Sequence, residues 1–109
     1  MRAYAAYNTQ DVEALLATLS DDIDWPDGAA RLRGKEAVHA YWTEQWTRVR
    51  AHDEPVRLDH LDDGRTSVHV DQIVRSLDGS VLSQDHFVHF HRIEGGRIAR
   101  MDIQAALDG

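Results

Sequence analysis

The sequence contains no cysteine, which excludes disulfides and thiolate metal sites from the outset. It has one lysine against eleven arginines, no cluster of either, and a formal charge of −7, with acids outnumbering bases 19 to 12. A nucleic-acid binder needs a basic face to displace counterions. Neither nucleic acid nor an anionic membrane surface is therefore expected as a partner. Long apolar runs are also missing: the longest are a few residues, far short of the roughly 20 that a membrane span needs. No charged-then-apolar leader precedes the first helical stretch, so the expected location is cytoplasmic.

What remains is an ordinary soluble composition. With 109 residues, 42% hydrophobic and 28% charged, the chain reads as one domain spanning 1–109, with a single core. Met1 to Tyr7 supplies barely two helical turns. Thr9 is a candidate cap for a second helix, with Asp11 in its first turn and Val12, Leu15, Leu16 and Leu19 as one apolar stripe ended by Ser20-Asp21-Asp22. Ile23 to Trp25 reads as a short strand stopped by Pro26, and Asp27-Gly28 begins a loop reaching Arg33. A third helix follows from Gly34 to near Arg50, with Val38, Trp42, Gln45, Trp46 and Val49 on one side. His52 to Pro55 is linker.

Beyond the linker the pattern changes to period two. It predicts strands over Val56–Leu61, Thr66–Ser76, Val81–Ile93 and Ile98–Gln104, turned at Asp62-Asp63-Gly64, Asp78-Gly79 and Glu94-Gly95-Gly96. Helices followed by a meander of strands indicate an α+β fold, a curved antiparallel sheet with covering helices and a cone-shaped pocket. Without bulges, pairing across Asp78-Gly79 sets Leu77 opposite Ser80, Ile73 opposite Gln84, Asp71 opposite His86 and His69 opposite Val88. Pairing across Gly95-Gly96 sets Ile93 opposite Ile98, Phe90 opposite Met101 and Val88 opposite Ile103. One face then carries His69, Asp71, Ile73, Leu82, Gln84, His86, Val88, Phe90, Met101 and Ile103. The other carries Val68, Val70, Gln72, Val74, Val81, Asp85, Phe87, His89, His91 and Asp102.

Four segments resemble a known family. They are Tyr4-Ala5-Ala6-Tyr7-Asn8-Thr9-Gln10-Asp11 with Leu15-Leu16, Asp21-Asp22-Ile23-Asp24-Trp25-Pro26, Leu32-Arg33-Gly34-Lys35-Glu36-Ala37-Val38, and Glu94-Gly95-Gly96-Arg97-Ile98-Ala99-Arg100. In this order they are similar to the SnoaL-like branch of the nuclear transport factor 2-like superfamily. The resemblance implies a strongly bent sheet with helices over its concave side, frequently paired through sheet surfaces. Its enzymes include ketosteroid isomerases, limonene epoxide hydrolases and polyketide cyclases. The isomerase's catalytic positions fall at Ala3, Trp25 and Val88, and none of the three is retained. The epoxide hydrolase's Arg-x-Asp falls at His69-Val70-Asp71 with the arginine replaced, and its other acid falls at Ile103. The cyclase acid has Asp102 in its neighbourhood, pointing outward in this register.

The sharpest constellation in this reading is Asp71 opposite His86, with His69 two residues along. A carboxylate beside an imidazole fixes its tautomer and raises its basicity, as acid–base catalysis at neutral pH requires. Asp71 and His86 are the expected base and partner, and His69 orients a substrate oxygen. Trp25, Tyr41, Trp42, Phe90, Met101 and Ile103 are the expected wall for a small hydrophobic, cyclic ligand. The competing reading makes the polar pair structural and the chain a non-catalytic binding or dimerisation domain. His89-Phe90-His91, with Asp102 opposite and Glu94 following, offers nitrogen and oxygen ligands for a metal. Their spacing fits no ligand run, and on the family fold they lie on the convex side. No metal or other cofactor is expected. The face with Val68, Val70, Val74, Val81 and Phe87, supplemented by Gln72, Asp85 and His89, is the expected homodimer surface.

Overall fold

The second half of the chain follows its period-two pattern, and the sheet so formed is larger than the sequence suggests. The computed structural model describes residues 1–105, so 106–109 of the expected domain lie outside the described residues. The helices are α1 (Arg2–Asn8), α2 (Val12–Ala17) and α3 (Lys35–Gln45). The strands are β1 (Leu19–Asp27), β2 (Ala30–Arg33), β3 (Val49–His60), β4 (Thr66–Ser76), β5 (Val81–Glu94) and β6 (Arg97–Ala105). They form one open, curved sheet in the order β2-β1-β6-β5-β4-β3. Every neighbouring pair is antiparallel except β1 beside β6, which is parallel. The α+β architecture is thus as expected, with one parallel pair added.

Several boundaries move for identifiable reasons. Leu19 to Asp22 leave the helical stripe and enter β1, because Ile98 N donates to Thr18 O at 2.9 Å and Leu19 pairs with Ile98. Tertiary pairing overrides a weak helical preference there. The expected loop from Asp27 to Arg33 is a hairpin: Asp27 pairs with Ala30 around Gly28, whose φ of 59° is left-handed. Pro26 is tolerated inside β1 because no pairing with β6 continues past Asp24. The third helix ends at Gln45, so its expected last residues Val49 and Arg50 join β3, as does the expected linker from His52 to Pro55. Pro55 is accommodated on an edge strand, beside a register shift.

A seven-residue helix such as α1 is marginal alone, and it is held by what it touches. Asn8 Nδ2 donates to Asp53 O and Asn8 Oδ1 accepts from Asp53 N, both at 2.8 Å, so one side-chain amide docks α1 on β3. Asp11, not Thr9, caps α2: Ala14 N donates to its Oδ1 at 3.1 Å. Thr9 closes α1 instead, its hydroxyl donating to Ala5 O at 3.0 Å.

Two clusters form the core. Leu15, Leu19, Ile23, Val38, Trp42 and Ile98 join the helices to β1 and β6. Tyr4 packs on Val68 and Val70 further along the sheet. On the opposite side an ion network ties the β1–β2 hairpin to β6. Arg31 Nε donates to Asp24 Oδ1 at 2.7 Å, Arg31 Nη2 to Met101 O at 2.8 Å, and Arg100 Nη1 to Asp24 Oδ2 at 3.0 Å. The Arg31 hydrogen bond holds the Asp24 carboxyl below its usual range. The network fixes the backbone on either side of Trp25 and Met101.

Candidate functional site

The concave side of the sheet and the helices enclose a cavity of about 220 Å³. Which residues reach it depends on two register details. Across β4 and β5 the expected pairs are present: His69 with Val88, Asp71 with His86, and Ile73 with Gln84. The Leu77–Ser80 continuation is displaced by an irregularity that pairs Val74 with Ser83 and then Arg75 with Val81. Across β5 and β6, Ile93 pairs with Ile98, but Arg92 then pairs with Arg100. Ala99 is the extra residue of a bulge. Beyond it Met101 faces His91 and Ile103 faces His89, in place of the expected Phe90 and Val88.

This bulge exchanges the two faces. Met101 and Ile103 do line the cavity, as do Trp25, Tyr41 and Trp42. They share it with Gln72, His89 and His91 rather than with Asp71 and His86. The expectation that Asp71 and His86 project into the hollow is therefore corrected. They bond to one another, through Asp71 Oδ1 and His86 Nδ1, on the outer face, with side chains 49% and 63% exposed. His69 shares that face, two residues along β4. Phe90 is there too, with the Arg65 guanidinium 4.8 Å from its ring centroid. The expected homodimer surface is corrected with them: Val68, Val70 and His89 are buried inside, and Gln72 bonds to Asp53.

The cavity's polar groups come from α1, α3, β3, β4 and β5. Tyr4 Oη lies 2.8 Å from His89 Nδ1 and 2.9 Å from His91 Nε2. All three side chains are buried. Desolvation pushes both imidazoles down to about 4, so each is neutral at pH 7. The same effect, with the nearby Asp53 charge, raises the Tyr4 phenol far above its ordinary value. His91 Nδ1 is sealed without a partner among the described residues.

Among the described residues Asp53 is the one acid in the cavity wall, and no lysine or arginine lines it. Its backbone is held by Asn8, and its Oδ1 accepts from Gln72 Nε2 at 2.7 Å. No described side chain donates to Oδ2. Burial is the main cause of its raised pKa, with the Gln72 bond opposing. A carboxyl so placed can take or give a proton nearer to neutral pH than a surface aspartate does. Tyr7 stands beside it, its phenol also raised by burial and by the Asp53 charge, and accepts from Gln45 Nε2 at 3.2 Å.

Aromatic rings supply the apolar part. Trp25 meets Trp42 edge to face at 5.0 Å, and Trp42 stacks on Trp46 at 6.4 Å. Trp25, Trp42 and Tyr41 reach the cavity; Trp46 packs behind them.

Sequence reasoning misplaced or missed Tyr4, Tyr7, Asp53, Gln72, His89 and His91. For Asp53 the alternation shows only in the structure, where Ala51 and Asp53 are buried while Arg50, His52 and Glu54 are exposed along β3. Among the described residues no group of three or more His, Asp or Glu side chains is arranged to hold a metal.

A curved sheet closed by short helices over one internal cavity defines the class of fold. The chain belongs to the SnoaL-like domain family, whose model matches residues 1–101. Among solved structures it is similar to a candidate polyketide cyclase from Sinorhizobium meliloti at 25% identity. That match covers 94% of this chain and 90% of the other, with a TM-score of 0.81. It is also similar in fold to an NTF2-like protein of unknown function from Burkholderia pseudomallei, at 24% identity over 96% and 86% of the chains (TM-score 0.81). An LEH-like epoxide hydrolase of M. tuberculosis shares the fold at 17% identity over 96% and 77%, with a TM-score of 0.82. No curated protein matches the chain.

Proposed function

We propose that the protein is a cofactor-independent acid–base enzyme, of isomerase, cyclase or hydrolase type, acting on a small, uncharged cyclic molecule. One observation carries this reading: a buried Asp53 with one carboxylate oxygen clamped by Gln72 and the other without a donor among the described residues, in the same cavity as the His91–Tyr4–His89 chain. Asp53 is the proton acceptor, taking a proton from carbon next to a carbonyl or from a water. The negative charge that develops on the substrate oxygen is met by a hydrogen bond from the histidine side. Tyr7, buried beside the acid, remains a phenol and supplies a second polar edge.

Substrate charge follows from the wall. With one acid, two neutral imidazoles and no arginine or lysine among the described residues of its wall, the cavity repels carboxylates and phosphates. Its volume of about 220 Å³ lies below the roughly 300–1,000 Å³ of sites for drug-sized ligands, which limits the occupant to one or two rings. The similarity to the candidate polyketide cyclase is consistent with an oxygenated ring compound.

The test is proton exchange on a model ketone. 2-Tetralone in deuterium oxide should gain deuterium beside its carbonyl faster with the protein than without it. Asp53→Asn should remove roughly 10²–10⁴-fold of that acceleration. Ligand binding without any acceleration of exchange, in wild type and variant alike, would favour a non-catalytic binding domain.

A further inference from the structure

The hydrogen bonds around Tyr4 can run in one of two directions, and the direction decides what the cavity offers a ligand. One phenol carries one proton, so Tyr4 donates to one of the two imidazole nitrogens it touches and accepts from the other. Each neutral imidazole likewise carries one N–H. Suppose Tyr4 donates to His91 Nε2. The His91 proton is then on Nδ1, which is buried with no partner among the described residues. An orphaned buried N–H is a rare and costly arrangement, more so than an acceptor left unfilled. In the opposite direction His91 Nε2–H donates to Tyr4 Oη, Tyr4 O–H donates to His89 Nδ1, and His91 Nδ1 is a bare lone pair. The proton of His89 is then on Nε2. That atom has no protein partner among the described residues and is not sealed as His91 Nδ1 is. His89 itself lines the cavity.

The geometry points to a one-way relay, His91 to Tyr4 to His89, that makes His89 Nε2 a fixed hydrogen-bond donor into the cavity and so selects a ligand carrying an uncharged acceptor oxygen at that end. Tyr4 and His91 are positioning residues in this scheme: they act through His89. The selection of an acceptor rests on the proposal that this cavity is the functional site, whereas the relay itself does not require turnover. His91, buried and touching Tyr4 with only one nitrogen, sets the polarity of the chain. Depression of both imidazole pKa values by burial keeps the relay uncharged at neutral pH.

Imidazole tautomers are read directly from long-range ¹H–¹⁵N correlation spectra of the labelled wild-type protein at pH 7. The expected result is a protonated Nε2 and a bare Nδ1 on both His89 and His91. A protonated Nδ1 on either ring would overturn the relay. Tyr4→Phe removes the shared hydroxyl, and His89 should then sample both tautomers; a pure Nε2–H form there would show that Tyr4 does not fix it. Wild type alone decides the first point even where the variant does not fold. For the ligand, 2-tetralone should shift the His89 Nε2 resonance and tetralin, the same frame without oxygen, should not. The same response to both, or to neither, contradicts acceptor selection. Loss of deuterium exchange in Asp53→Asn is a separate readout, so the acid–base proposal and the relay fail independently.

Discussion

Lowering the pH from 7 to 4 will destabilise the fold by several kcal/mol, chiefly through His89 and His91. Both are buried, and desolvation brings each down from 6.5 to about 4 in the folded protein. Between those values the unfolded chain binds protons that the folded one does not, so stability falls as pH falls. The contribution is complete above about 6.5, is lost progressively toward 4, and changes no further below it. A shift of this size corresponds to on the order of 3 kcal/mol for each ring. Asp53 acts with opposite sign: its raised pKa lets the folded state take up a proton first, offsetting part of the loss. Asp24 and Asp102, both lowered by arginine hydrogen bonds, add their losses only as pH falls below about 3.8. Urea midpoints measured from pH 7 to 4 should therefore decline steadily, and a His91→Phe variant should show a shallower decline. A flat wild-type profile between 6.5 and 4.5 would mean that the two rings are already solvated.

Trp42→Ala will cost about 3–5 kcal/mol, the range for emptying a large aromatic site in a packed core. Trp42 is essentially inaccessible, stands at the junction of α3 with the core cluster of Leu15, Leu19, Ile23 and Ile98, and supports Trp25 from behind. A domain of this size has about 5–15 kcal/mol in total. The variant would retain half or less of its stability at the low end of that range. Trp42→Phe keeps most of the ring area and should cost clearly less. Chemical denaturation compares the two, and a loss below about 1 kcal/mol for alanine would show that the site collapses without consequence. The same substitution removes one wall of the cavity, so stability and ligand retention should fall together.

These two predictions rest on side chains that the sequence exposes unequally. The tryptophans on a helical stripe, the glycine turns and the alternation of β4 to β6 are local patterns, and they suffice for the architecture. The pairing of Asp71 with His86 is present although the turn is one residue longer than expected: Ser76 N donates to Ser80 O around Leu77-Asp78-Gly79, and one extra residue between Val81 and Ser83 restores the register. What no local pattern reveals is the bulge at Ala99, a single extra residue between Ile98 and Arg100. Met101 and Ile103 were sound markers of the concave side, but counting without the bulge carried Asp71, His86 and Phe90 along with them. A one-residue slip exchanges the faces of everything beyond it.

Asp53 was hidden for a different reason. Val49 and Arg50 read as the end of a helix, and His52 to Pro55, three polar residues and a proline, as linker, until β4 supplies the partner that makes them a strand. Its acid is then buried by α1, a contact between residues 45 positions apart in the chain. Long-range burial of this kind has no short-range signature. The outer pair, by contrast, is a half-exposed carboxylate–imidazole contact, and pairs so exposed are worth about 0–1 kcal/mol.

Ligands are expected to enter the concave cavity, against Asp53 and His89, and not to settle on the outer face. Chemical-shift mapping with 2-tetralone on labelled wild-type protein distinguishes the two. Shifts are expected at the Met101 methyl, Ile98, Tyr7 and the His89 ring, with His69, His86 and Val88 unmoved. Shifts concentrated at His69 and His86, with the cavity residues silent, would contradict it.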